Sequence, residues 1–172
     1  MAEVFLGLGS NLGAREANIA AALKLIAALP KTRLVCCSSI YETEPWGVRS
    51  QPRFLNCTCK LETELAPAEL LSRLLDVERA LGRRRTAEKF GPRTIDIDIL
   101  LYDDLIIDGG EPAIPHPRMH RRRFVLEPLC EIARDVIHPK LGKTVCQLLA
   151  ECTDTLEVRP HSKPPAIIPS ED

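Results

Sequence analysis

GPRTIDIDILLYDD, residues 91–104, carries the two-residue period of a β-strand: Ile95, Ile97, Ile99 and Leu101 fall on one face, Asp96 and Asp98 on the other. The isoleucine face asks for a sheet with one side buried. Aspartate is depleted in strands, and two like charges on one face repel, so the acidic face needs its own explanation. On a strand the two α-carbons lie roughly 6.5–7 Å apart. Two carboxylates so placed can share a pair of divalent ions roughly 3.5–4 Å apart, as phosphoryl-transfer sites do. Mg²⁺ suits so few protein oxygens, because it keeps several waters and takes the rest of its shell from phosphates. A solvated face whose acids pair with nearby arginines is the alternative.

The flanks favour phosphate chemistry. Arg83, Arg84, Arg85, Lys89 and Arg93 stand just before the strand, on a loop punctuated by Gly82 and Gly91-Pro92. A second cluster, Arg121-Arg122-Arg123, follows Pro115-His116-Pro117. Solvated basic loops are common, but acids able to hold Mg²⁺ beside guanidinium forks are what a polyphosphate requires. A basic loop able to close would also exclude water during transfer.

Further upstream, Val4 to Leu8 reads as a strand ending in Gly9-Ser10-Asn11, where Ser10 or Asn11 can cap a helix. Ile19, Leu23, Ile26 and Leu29 then recur at helical spacing until Pro30. Residues 33–41 read as a second strand, 42–52 as a loop with Pro45, Trp46 and Gly47, and 54–64 as a third strand. Pro67 opens a helix with the stripe Leu70, Leu71, Leu74, Val77 and Leu81, stopped by Gly82. Glu78 lies beside that stripe, where a buried acid needs a partner. The resulting βαββαβ order predicts an α+β, ferredoxin-like core: an antiparallel sheet with helices on one face and the other free for a site or for further elements. Residues 124–133 and 144–152 are expected to add C-terminal helices. One domain over 1–152 and a Pro-rich tail over 153–172 are expected.

Composition narrows the function classes. The chain has 172 residues, 45% hydrophobic and 27% charged, which is the profile of one globular domain. Lys+Arg 23 against Asp+Glu 24 leaves a net charge of -1, so any anion site must come from local arginine clustering. No apolar run approaches a membrane span and Met1-Ala2-Glu3-Val4 lacks a basic start before an apolar stretch, so the cytoplasm is the expected location. The seven cysteines have neither metal-knuckle nor redox spacing and are expected to be reduced thiols. Gly7-Leu8-Gly9-Ser10-Asn11-Leu12-Gly13 misses the dinucleotide fingerprint because Leu12 stands where glycine is needed, and there is no GxxxxGK[ST].

In order and spacing, Gly9-Ser10-Asn11-Leu12, Phe54-Leu55-Asn56, Gly91-Pro92-Arg93-Thr94-Ile95-Asp96-Ile97-Asp98 and Pro115-His116 resemble the 6-hydroxymethyl-7,8-dihydropterin pyrophosphokinase family, from about Val4 to about Ala150. The GPRTxDxDxL stretch is the most specific part. The resemblance implies transfer of pyrophosphate from ATP to the pterin alcohol with release of AMP, in folate biosynthesis. It implies Asp96 and Asp98 as ligands of two Mg²⁺ ions, and Arg83 and Arg93 as catalytic phosphate-stabilising groups. Arg85, Ile99, His116 and Arg122 join those arginines as ATP contacts. Phe54 and Phe124 would sandwich the pterin, Asn56 would read its amide edge, and Thr43, Pro45, Gly47 and Gln51 would complete its site. A flat bicycle between two aromatic faces, with an amide offering both donor and acceptor, is physically apt. Trp46, Phe90, Pro117, His120 and Arg123 depart from the family pattern. The expected partners are small molecules only, with no nucleic acid or membrane, and the expected state is a monomer. The rival from another class is an RNA-binding module of the same βαββαβ order, but Asp96 and Asp98 would repel phosphates there without metal.

Overall fold

The computed structural model describes residues 1–47, 50–82 and 93–167. In chain order the elements are β1 (Ala2–Ser10), α1 (Arg15–Ala27), β2 (Thr32–Cys37), β3 (Ile40–Thr43), β4 (Phe54–Thr63), α2 (Pro67–Ala80), β5 (Asp96–Tyr102), a 3₁₀ turn (Met119–Arg121), α3 (Arg123–Ala133), α4 (Val145–Glu151) and β6 (Val158–Ser162). The strands form one antiparallel sheet in the order β5-β1-β4-β3-β6, and β2 and β3 share the far edge of β4. This is the α+β, ferredoxin-like arrangement that the βαββαβ order predicts.

The alternation of β1 divides the molecule into two layers. Val4, Leu6 and Leu8 point to α1 and α2, where they pack with Ile19, Ile26, Leu70 and Leu74. Truncating any of these buried leucines or isoleucines to alanine costs about 2–5 kcal/mol, because transfer and cavity terms add. Phe5 points to the other face and joins a second cluster with Leu126, Leu129 and Val145 of α3 and α4. So the second face is not bare. The C-terminal helices cover part of it, and Gly7 and Gly9, next along that face, leave the remainder open.

Local rules explain most boundaries. Pro67 occupies the first turn of α2, where a missing N–H costs nothing, and Gly82 takes φ +83 just beyond its end. Thr144 and Gln147 form a reciprocal capping box on α4. Three expectations need correction. The segment 33–41 is two strands: Ser38 breaks the run, its Oγ accepting the Thr58 N–H at 2.9 Å. Neither Ser10 nor Asn11 caps α1, which starts at Arg15 with no side-chain cap; Ser10 belongs to β1, and Asn11 has other partners described below. Leu101 does not stay on the isoleucine face. A register shift opposite Phe5 and Leu6 places Leu100 and Leu101 in the second cluster and returns Tyr102 to the first. Within the segment expected to be a tail, β6 pairs with β3. All seven cysteines are free, and Cys37, Cys57 and Cys59 are buried.

Candidate active site

The open part of the second face is a cleft of about 620 Å³. The sheet register builds its floor. Asp96 pairs across the ladder with Gly9, and Asp98 with Gly7; on the far side Gly9 pairs with Asn56. A carboxylate and an amide therefore flank a residue with no side chain, on strands about 10 Å apart, two inter-strand spacings. The glycine is required here: a Cβ on Gly9 would lie 2.7 Å from Asn56 Oδ1. Asn56 is buried and its Nδ2 donates to Thr43 Oγ1 at 2.5 Å, which directs its Oδ1 toward the Gly9 side.

At the acidic end, Arg93 Nη1 lies 3.1 Å from Asp96 Oδ2, with both side chains less than a quarter exposed. Burial and the neighbouring Asp96 carboxylate push the Asp98 carboxyl up to about 8, against the pull of Arg122 and Arg93. Two crowded acids that cannot both ionise easily form a donor set that a divalent cation would complete. Among the described residues no three His, Cys, Asp or Glu side chains converge on a metal position; a cation held by the two acids would take its other ligands from waters or phosphates. That suits Mg²⁺.

At the aromatic end, Phe54, Trp46 and Phe124 line the cleft. Arg122, buried at the N-cap of α3, holds its Cζ 5.5 Å from the Trp46 ring centroid and 5.5 Å from that of Phe124. Arg93 Cζ lies 5.8 Å from the Phe54 ring. Guanidinium groups thus stand between the aromatic wall and the acids. Burial lowers the Arg122 pKa, opposed by Asp98.

Of the expected residues, Thr43, Phe54, Asn56, Arg93, Asp96, Asp98, Arg122 and Phe124 meet in this cleft. Others are not among its lining residues. Ile99 turns its side chain into the core under α1 and α2. Gln51 contacts Asn11, Pro45 is buried, and Gly47 takes φ +85 in the loop. His116 is half-buried; burial, then Arg122, pushes its imidazole down to about 4, and its Nδ1 accepts the Arg118 N–H at 3.2 Å. Arg83 and Arg85 lie outside the described residues. Sequence reasoning missed the structural roles of Gly7 and Gly9, although their shared parity with Phe5 was available as a signal. It also missed the bridging role of Asn11, which no periodicity reveals.

A family model described as 7,8-dihydro-6-hydroxymethylpterin-pyrophosphokinase (HPPK) matches residues 5–134. The 2-amino-4-hydroxy-6-hydroxymethyldihydropteridine pyrophosphokinase of Haemophilus influenzae is 42% identical over 154 residues, 90% of this chain and 95% of that one. The enzyme of the same name from Pseudomonas aeruginosa is 43% identical over 149 residues, covering 87% and 91%. Among solved structures, Plasmodium falciparum HPPK-DHPS wild type with pteroate superposes with a TM-score of 0.69 at 15% identity, over 87% of this chain and 42% of that one, a likeness of fold. The chain belongs to the HPPK family.

Proposed function

We propose that, in the transfer of pyrophosphate from ATP to 6-hydroxymethyl-7,8-dihydropterin that defines this family in folate biosynthesis, Asp96 and Asp98 hold two Mg²⁺ ions and the Phe54–Asn56–Phe124 wall holds the pterin. The observation that carries this reading is the register: Asp96, Gly9 and Asn56 stand side by side across three strands. Substrate oxygen and phosphate then meet above a glycine floor. Bound there, Mg²⁺ would acidify the attacking hydroxyl and spread the phosphate charge.

The chain's own groups do the rest. Asn56, braced by Thr43, offers its amide to the pterin edge. Phe54 and Phe124 provide flat faces for the bicycle. The pterin hydroxymethyl oxygen attacks the β-phosphorus in line, the bond to the α,β-bridging oxygen breaks, and AMP leaves. Arg93, close to Asp96, is placed to neutralise charge developing on the phosphates. Arg122 serves the same end of the site, and Arg83, Arg85 and Ile99 are assigned to the nucleotide by family resemblance. His116 stays neutral at physiological pH, so with Nδ1 accepting from Arg118 its Nε2 is the donor toward ATP.

No helix of the described residues is long and apolar enough to cross a membrane, and the seven free thiols accord with a reducing cytoplasm. The test is direct: incubation with ATP, Mg²⁺ and the pterin alcohol should yield AMP and the pterin diphosphate. Appearance of ADP instead, or of neither, would reject the reading.

A further inference from the structure

One buried acid behind the cleft has no part in the chemistry above. Glu78 is 4% exposed and occupies a stripe position of α2 shared with Leu70, Leu74 and Val77, where an apolar residue would be expected. Its Oε2 accepts the backbone N–H of Ile97 at 2.9 Å. Ile97 is the residue between Asp96 and Asp98, and among the described residues β5 is the last strand of the sheet, so an amide on its outer side has no neighbouring strand there to accept it. A buried carboxylate is costly unless hydrogen-bonded, and a backbone N–H to a carboxylate is among the stronger such bonds.

We propose that Glu78 is a positioning residue for the acid pair: by pinning the Ile97 amide to α2 it fixes the strand segment that aims Asp96 and Asp98 at the divalent cations. The proposal rests on the assignment of Asp96 and Asp98 as metal ligands. The same isoleucine is anchored twice, its side chain in the core under α1 and α2 and its amide on Glu78. An edge strand held only by β1 is free to twist on its outer side; the helix removes that freedom where the two carboxylates need a constant separation. Groups that orient metal ligands in this way commonly change metal affinity or activity 10–100-fold when removed, in rough terms.

Two variants of the full chain separate this role from simple packing. E78A removes the acceptor; E78Q keeps an oxygen able to accept from Ile97. Divalent binding is read with Mn²⁺ and a non-hydrolysable ATP analogue, pterin binding by titration, and Ile97 amide exchange by NMR without metal. E78A should weaken Mn²⁺ binding by about 10–100-fold, lower kcat with it, speed Ile97 exchange and leave pterin affinity unchanged. E78Q should restore most of the exchange protection and metal affinity. Wild-type Mn²⁺ affinity in E78A overturns the proposal, as does E78Q falling as far as E78A. If E78A does not fold, E78Q and the wild type decide: an Ile97 amide that exchanges as an unbonded edge amide does is equally fatal. D96N and D98N are the controls. Wild-type Mn²⁺ affinity in both rejects the ligand assignment itself, whereas its loss there but not in E78A rejects Glu78 alone.

Discussion

Asn11 and Arg93 clasp each other twice: Asn11 Oδ1 accepts the Arg93 N–H at 2.9 Å, and the Asn11 N–H donates to the Arg93 carbonyl at 3.2 Å. The Asn11 Nδ2 also donates to Gln51 Oε1 and to the Pro52 carbonyl, at 2.9 and 3.0 Å. One buried amide at the end of β1 thus ties Arg93, the arginine paired with Asp96, to the loop that precedes Phe54. Asn11→Ala should cost about 1–3 kcal/mol of stability through the groups left unpaired. It should also lower kcat/KM by about 10²-fold through misplacement. Urea unfolding and steady-state AMP release check the two separately; lost stability with unchanged kinetics would make Asn11 a purely structural residue.

Replacing either acid should separate chemistry from substrate binding. Asp96→Ala and Asp98→Ala are expected to abolish turnover nearly completely while pterin affinity, assigned by the proposal to Asn56 on the other side of Gly9, stays close to normal. Chelation of divalent ions should mimic the variants in the native enzyme and be reversed by added Mg²⁺. Calorimetric pterin titration alongside an AMP assay reads both, and normal turnover in either variant would refute the assignment.

The pH behaviour of the metal-free protein follows from Asp98. Its carboxyl titrates at about 8 when folded, against an ordinary value of 3.8. Between those limits the folded protein holds a proton that the unfolded chain has released, so stability falls as pH rises from about 4 to about 8. Asp98→Asn removes this slope and should raise Tm most at alkaline pH, by about 2–4 °C per kcal/mol recovered in a chain of this size. Mg²⁺ competes with the same proton, so its apparent affinity should tighten with pH up to about 8. Melting curves of both proteins across that range, with and without Mg²⁺, test the sign; a flat wild-type profile would contradict it.

The two floor glycines should differ. A Cβ at Gly9 meets Asn56 Oδ1 at 2.7 Å, so Gly9→Ala must displace the amide and raise KM for the pterin. At Gly7 the nearest neighbour is a Leu100 methyl at 3.5 Å, an ordinary contact, and Gly7→Ala should be far milder. Equal effects of the two on pterin KM would argue against Asn56 as the reader of the pterin edge.

Removal of residues 153–172 should reach the site. Asp154 accepts the Arg123 N–H through Oδ2 and the Arg123 Nε through its carbonyl, at 3.1 and 3.0 Å, holding the first turn of α3 beside Phe124. β6 covers β3 next to Thr43. Truncation at 152 should therefore lower stability by about 2–4 kcal/mol, counting a few net hydrogen bonds, and weaken pterin binding. Thermal unfolding and pterin titration of the shortened chain provide the measurement. Unchanged values would restore the simpler picture of a dispensable tail.

What the sequence determined by itself was local and periodic. Alternation identified β5 and placed both aspartates on one face; 3.6-residue spacing and the Pro67 and Gly82 signals bounded α2; parity put Phe54 beside Asn56. These depend on interactions within a few residues, which spacing encodes. Tertiary structure alone decided what spacing cannot: that Asp96 and Asn56 stand on either side of Gly9, that Asn11 reaches Arg93 and Gln51 instead of capping α1, that Glu78 bonds the Ile97 amide, and that β6 joins the sheet. Each depends on strand order, register or a contact spanning many residues. Such contacts are fixed only when the whole core closes, because a single-residue slip would turn every side chain of a strand to the opposite face.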